Sequence, residues 1–295
     1  MSFKNLKYRF FINFFENKKK LIWTLKNNLF NNVVCPPTIS VVKLTQNTIL
    51  GKRNERMFLV NDSFQSWNVI NDAYFQIEFI KKIKSLLTSS IKYDFVDIGA
   101  NIGIMTKCLL NNNVRLKNIY CVEPDQDNFF CLRNNLTKFK NIKFFKFALD
   151  RKKGKKKLFI DNNNKGNLSF FYEMIKKDKL NYMNTQNSFE IIKCENIKNF
   201  FKSIKLKTNI IKIDTQGSDE IIFQEIPREV LNKNHLLIIE ITPLKTKEIN
   251  YRKYSKNLNH YSKFTDFNGK FYTKDEVIKL SQRKRGKNID LIFLK

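Results

Sequence analysis

The chain has 295 residues, 42% of them hydrophobic and 14% aromatic, with a formal net charge of +28. That composition builds a full core, which excludes an intrinsically disordered chain, and the length suits one sizeable domain with additions or two small ones. No run reaches the roughly 18 apolar residues of a membrane helix, and the five scattered cysteines (Cys35, Cys108, Cys121, Cys131, Cys194) outline neither a disulfide framework nor a zinc motif.

In chain order, "MSFKNLKYRFFINFFENKKKLIW" comes first, basic and aromatic, its apolar part interrupted by Asn13 and Glu16. It lacks the apolar core and small-residue cleavage site of a signal peptide, so a cytoplasmic protein is expected. Two readings of it compete: an amphipathic helix in weak association with an anionic membrane surface, or a helix packed on the domain. "NNVVCPPTISVVKLTQNTIL" predicts short strands after a Pro-Pro turn, and 68–87 a helix capped by Asn71 or Asp72. From residue 91 the pattern becomes regular. "YDFVDIG", "NIYCVEP", "IKFFKFAL", "KLFI", "NIIKID" and "HLLIIEIT" read as strands. "NIGIMTKCLLNN", "DNFFCLRNNLTKF", "CENIKNFFKSI" and "SDEIIFQEI" read as the helices between them. "DNNNKGNLSFF" reads as a loop, and a helix "TKDEVIKLSQ" and a strand "IDLIFLK" close the chain. Alternating strands and helices predict an α/β fold with a mostly parallel sheet and ligands at the strands' C-terminal ends. The division expected is an N-terminal extension over 1–90 and an α/β domain over 91–295.

The first regular strand runs into "DIGANIG", where Gly99 and Gly103 permit positive φ or close backbone approach. The dinucleotide spacing G-x-G-x-x-G is not met, and Asp97 would repel a pyrophosphate. S-adenosylmethionine removes the conflict, because its methionine part carries an ammonium and no phosphate. Glu123, at the end of the second strand, stands where an acidic residue accepts ribose hydroxyls, or else merely favours a helix start. "FALD" then borders the adenine through Phe147 or Ala148, or packs in the core. Asp214 ends the fourth strand and orients or deprotonates an acceptor hydroxyl, unless it only caps the helix near Ser218. Lys212 interrupts that apolar strand and needs a partner, Asp214 or a neighbour, or an outward path. Glu240 sits on the same sheet edge. No metal set is visible: His235 and His260 are far apart.

The ordered motifs "FVDIGANIG", "YCVEPDQDNF", "FALD", "KGNLSF", "IIKIDTQGSD" and "LLIIEIT" resemble the FkbM-type methyltransferases from about residue 91 to about 245. The resemblance implies a class I, Rossmann-like S-adenosylmethionine-dependent methyltransferase whose last strand is antiparallel, most often an O-methyltransferase of sugars and natural products. It implies cofactor contacts at Asp97, Gly99, Asn101, Gly103 and Glu123, with Ala100, Pro124 and Ala148 beside them. It implies an active-site role for Asp214, and Glu240, placed on the same edge by the fifth strand, would support it in catalysis or else anchor loops. Relatives often carry glutamate at positions 216 and 219, so Gln216 is not the base. The expected partner is a glycan or small-molecule acceptor, its specificity residing in residues 1–90.

The charge of +28 raises an alternative, an RNA methyltransferase. A bland source competes: Lys, Asn, Ile and Phe are all abundant and all have A/T-only codons. The lysines are spread along the chain with one dense run, "DRKKGKKKLF", and no N-P-P-Y-like motif follows the fourth strand. No specific nucleic-acid partner is therefore expected.

Overall fold

The computed structural model of the protein describes residues 22–25, 38–44, 47–61, 63, 66, 77–160, 168–177, 188–244 and 247–295. Residues 1–21 of the basic aromatic start, the Pro-Pro turn and the expected caps Asn71 and Asp72 lie outside the described residues. Three strands, β1 (Ile22–Leu25), β2 (Ile39–Leu44) and β3 (Arg56–Val60), pair antiparallel. Helix α1 (Ile77–Ser85) leads to the regular portion. There β4 (Tyr93–Ile98), α2 (Ile104–Asn111), β5 (Leu116–Val122), α3 (Gln126–Leu136) and β6 (Ile142–Phe145) alternate. An excursion follows: β7 (Ala148–Asp150), β8 (Gly154–Ile160), β9 (Leu168–Ser169), α4 (Tyr172–Lys177) and β10 (Ser188–Asn196). The chain then returns through α5 (Ile197–Ser203), β11 (Asn209–Ile213), α6 (Asp219–Glu225), α7 (Arg228–Leu231) and β12 (Asn234–Ile241). It ends with α8 (Tyr251–Leu258), β13 (Lys263–Asp266), β14 (Phe271–Tyr272), α9 (Lys274–Ser281) and β15 (Ile289–Leu294).

The main sheet runs β14-β13-β15-β12-β11-β4-β5-β6. The strands from β12 to β6 are parallel, and β15 inserts antiparallel between β12 and β13. This is the mostly parallel sheet with a late antiparallel strand that the sequence leads one to expect. All six residues of β4 and all five of β11 are buried, as strands covered on both faces must be. Alternate residues feed two cores. Phe95, Ile210 and Leu236 pack with α1, α2 and α3 on one side. Val96, Ile211 and Leu237 pack with α5, α6, α8 and α9 on the other.

The N-terminal strands share the first of these cores through Val42, Leu44, Met57 and Leu59. Polar contacts fix their seat. The Phe58 N–H donates to Asn135 Oδ1 at 2.7 Å, and Asn135 Nδ2 donates to the carbonyls of Phe58 at 2.9 Å and Ile102 at 2.8 Å. Fully buried Lys107 pairs with Glu55, which also holds Lys138 at 2.6 Å. Residues 47–61 therefore brace α2, α3 and the turn before α2.

The stretch "IKFFKFAL", expected as one strand, is two. β6 ends the main sheet, and β7 starts a second sheet of order β7-β10-β8-β9. "CEN" ends strand β10 rather than opening the helix, and Asn196 caps α5 through the Asn199 N–H. The loop expected over 161–171 includes β9. No helix among the described residues is long and apolar enough to cross a membrane.

Candidate active site

The C-terminal ends of β4, β5 and β11 open on a cleft. Gly99 and Asn101 form its floor with Ile98, while Glu123, Pro124 and Asn128 form one side. Asp214, Thr215, Gln216 and Ser218 form the other. The third wall is apolar and comes from the second sheet: Ala148, Leu149, Leu158, Leu168 and Phe170.

The turn after β4 is compact because Gly99 and Asn101 take φ of 75° and 51° and the N–H groups of Gly99 and Ala100 both donate to the Val122 carbonyl at 3.0 Å. A β-carbon on Gly99 would stand 1.8 Å from the Asp214 carbonyl oxygen, so the tips of β4 and β11 touch there. Gly103, φ 85°, begins α2 and packs against Leu132. Glu123 Oε2 accepts the Asn101 N–H at 2.8 Å and Oε1 the Asp125 N–H at 3.0 Å. Burial first, then the neighbouring Asp125, pushes its carboxyl up to about 8 against those two donors.

Lys212 answers the question its sequence position raises. Its register partner on β4 is Asp97. Its ammonium reaches Asp97 Oδ1 at 3.2 Å, the Gly99 carbonyl at 3.1 Å and Asp214 Oδ2 at 3.4 Å. Burial opposes the charge on Lys212, but Asp97 and Asp214 outweigh it and raise its pKa. Asp97 is 0% exposed, and its other oxygen accepts the Thr106 hydroxyl at 2.7 Å. It therefore lies beneath the turn and outside the cleft wall.

Asp214 is held from two sides, by Lys212 on Oδ2 and by Gln216 Nε2 on Oδ1 at 3.1 Å. Its side chain is 33% exposed, and it lines the cleft. The following loop is pinned by Asp219, which accepts the N–H groups of Thr215 at 2.8 Å and Gly217 at 2.9 Å. Burial and then Asp214 raise the Asp219 carboxyl to about 6. The Gln216 carbonyl accepts the Ser169 hydroxyl at 2.6 Å, which fastens β9 to this loop. Glu240 is half-buried on β12, outside the cleft lining, and accepts the Thr242 hydroxyl at 3.2 Å. Its carboxyl is raised well above the ordinary range by burial, then by Asp214, Asp219 and Asp290.

Of the sequence-derived residues, the structure brings Gly99, Asn101, Glu123, Pro124, Ala148 and Asp214 to one cleft. Asp97, Ala100, Gly103 and Glu240 stand behind it. Phe147 packs on Phe145 and Phe200 in the core, at centroid distances of 5.6 and 6.1 Å. Asn128 is the residue that sequence reasoning passed over. It is 0% exposed and lines the cleft, and both of its amide atoms lack a partner. Its only signal was its place one turn into the helix after "EP".

A family model described as the methyltransferase FkbM domain matches residues 97–280, more than half of the chain. The protein belongs to the FkbM methyltransferase family. Among solved structures it is similar to an FkbM methyltransferase from Methylobacillus flagellatus KT, at 15% identity over 68% of this chain and 43% of that one, with a TM-score of 0.36. It is also similar to the N-terminal domain of human METTL16 in complex with SAH, at 12% identity over 74% and 68% of the two chains and TM-score 0.34. For Aeropyrum pernix fibrillarin with natively bound S-adenosyl-L-methionine the values are 8% identity, 93% and 100% coverage and TM-score 0.38. The chain thus spans less than half of the M. flagellatus FkbM structure. Comparison with curated proteins finds no match.

Proposed function

We propose that this FkbM-family chain transfers a methyl group from S-adenosylmethionine to a hydroxyl of a sugar, glycan or other small acceptor. The observation that carries the reading is Glu123 and Asp214 on facing sides of one cleft, at the ends of β5 and β11. The cleft fits the cofactor. Each Glu123 oxygen accepts a single N–H, which leaves lone pairs for two ribose hydroxyls. The orphaned amide of Asn128 suits the edge of a purine, and the apolar wall from Ala148 to Phe170 suits its face.

S-adenosylmethionine, when bound, supplies an electrophilic methyl group. The protein's part is placement and proton removal. Asp214 receives the proton of the acceptor hydroxyl, held in place by Gln216 and neutralised in part by Lys212. Asp97 is a positioning residue: through Lys212 and Thr106 it fixes the Gly99 turn and the base together. Glu240 supports the same edge, its raised pKa limiting the negative charge that gathers around Asp214.

Two experiments test this reading. Transfer of labelled methyl groups to a panel of sugars and glycans should exceed transfer to RNA, and the reverse order would favour the RNA alternative. Asp214→Asn should lower kcat by roughly a hundredfold or more while affinity for adenosylhomocysteine stays nearly unchanged. Full turnover by a folded Asp214→Asn protein would remove Asp214 as the base.

Asn128→Leu should move two quantities in opposite directions. Replacing a buried, unpaired amide by an apolar group of similar size should raise the ligand-free melting temperature, a gain of about 1–2 kcal/mol. Adenosylhomocysteine affinity should fall by roughly tenfold for one lost hydrogen-bond partner. A purely structural Asn128 would instead show lower stability and unchanged affinity.

A further inference from the structure

The lysine run "DRKKGKKKLF" has no place in the chemistry above, yet the structure gives it a definite geometry. It forms the start of β8, which pairs antiparallel with β10. The register sets Phe159 opposite Phe189, Lys157 opposite Ile191 and Lys155 opposite Lys193. These positions alternate with Leu158, Ile192 and Cys194, which are buried and pack with Ala148 behind the cleft. The sheet thus has one face toward the cofactor cleft and one face outward.

The outward face is both apolar and cationic. Phe189 is 47% exposed and Ile191 57%. Phe159 contacts Phe189 at a centroid distance of 6.3 Å and Tyr172, itself 41% exposed, at 5.5 Å. Among the described residues, the exposed large apolar side chains are Ile91, Tyr172, Phe189, Ile191 and Phe271, so three of the five gather on this one patch. Scattered exposure of this kind is ordinary; a cluster marks a contact surface. Lys155, Lys157 and Lys193 are exposed around it, and none of the three has a carboxylate partner among the described residues. Lys157 lies over the Phe189 ring at 4.4 Å.

We propose that this outer face of the β8–β10 sheet docks the protein on an anionic membrane surface. Charge complementarity selects the partner: unpaired ammonium groups suit lipid phosphates, while Phe189 and Ile191 enter the boundary between headgroups and acyl chains. A nucleic acid would use the lysines and the rings, but the most exposed apolar residue of the patch is aliphatic Ile191, which offers nothing to a base or a phosphate. The cleft wall is the opposite face of the same sheet. Docking therefore brings the cleft close to the headgroup layer, and, on the function proposed above, favours acceptors carried on lipid.

Vesicle sedimentation of the full chain tests this without any use of methyl transfer. The protein should sediment with phosphatidylcholine vesicles containing phosphatidylglycerol and stay in solution with phosphatidylcholine alone. The pair Phe189→Ser and Ile191→Ser should weaken binding by roughly tenfold, as should Ile191→Ser alone in smaller measure. Lys155→Glu, Lys157→Glu and Lys193→Glu together should abolish it. The same charge change elsewhere, at exposed Lys270, Lys279 and Lys284, should leave most of it. Equal loss in both lysine sets would overturn the proposal in favour of general charge attraction. Unchanged binding of the serine pair, or binding to RNA with none to vesicles, would overturn it as well. Adenosylhomocysteine affinity should stay at the wild-type value in every variant, which separates failure of docking from failure of the cleft.

Discussion

Gly99→Ala is expected to cost roughly 3–5 kcal/mol of stability and to abolish cofactor binding in whatever protein remains folded. Two costs combine. A left-handed backbone (φ 75°) penalises any side chain by about 1–2 kcal/mol. The added carbon would also meet the Asp214 carbonyl oxygen at 1.8 Å. That oxygen belongs to the backbone at the tip of β11, so relief requires β4 and β11 to part where five consecutive residue pairs are in register. A melting temperature lowered by roughly 6–12 °C is the corresponding shift for a chain of this size. Gly154→Ala provides the control. Nothing lies within 4 Å of a β-carbon there, so stability should change by no more than about 0.5 kcal/mol. Equal melting of the two variants would mean that the turn yields without cost.

Lys212→Met carries the second large effect, an expected loss of about 3–5 kcal/mol, because it strands Asp97 as a buried charge with Thr106 its remaining hydrogen-bond partner among the described residues. Methionine fills the space but restores neither the bond to Asp97 nor the one to Gly99. Adding Asp97→Asn should recover most of the loss, since the pair is then neutral on both sides, and the double-mutant cycle should give a coupling of about 1–3 kcal/mol. Additive losses would show that Lys212 acts through its packing alone. Activity should stay low in the rescued double variant, because Lys212 also holds Asp214, and this outcome separates the structural pair from the catalytic one.

The parts of the fold that the sequence displays are those with the simplest burial. β4 and β11 lie between two helical layers, so nearly every residue is apolar and the exceptions stand out. Asp94 and Asn209 sit at the strand starts, and Asp97 and Lys212 are the exceptions toward the C-terminal ends. Their partnership is invisible in the sequence, because it depends on a parallel register between strands more than 100 positions apart. Asp97 accordingly reads as a ligand contact in the sequence, and in the structure it is buried below the turn and bonded to Lys212 and Thr106. The second sheet is less legible for a different reason. One face of β8 and β10 points outward and carries lysines among its apolar residues, which erases the alternation that reveals a strand. Helix α8 buries only Tyr254 and Leu258, and the sequence reading passed over so narrow an apolar face. Asn128 gives only its position in the first turn after "EP", and an asparagine there is ordinary until its amide is found buried and unpaired.

The most direct test of the central claim is calorimetric titration of the full chain with adenosylhomocysteine across the neutral range. One site per chain should fill with a dissociation constant of roughly 1–100 μM. Glu123, pushed up to about 8, is mostly protonated at pH 7 before binding. Ribose hydroxyls favour its ionised form, so binding should release a proton at pH 7 and tighten between about pH 6 and pH 8. Glu123→Ala should bind at least tenfold more weakly for the loss of a charged hydrogen-bond acceptor. A folded chain that takes up no adenosylhomocysteine, or binds it equally well after Glu123→Ala, would contradict the account.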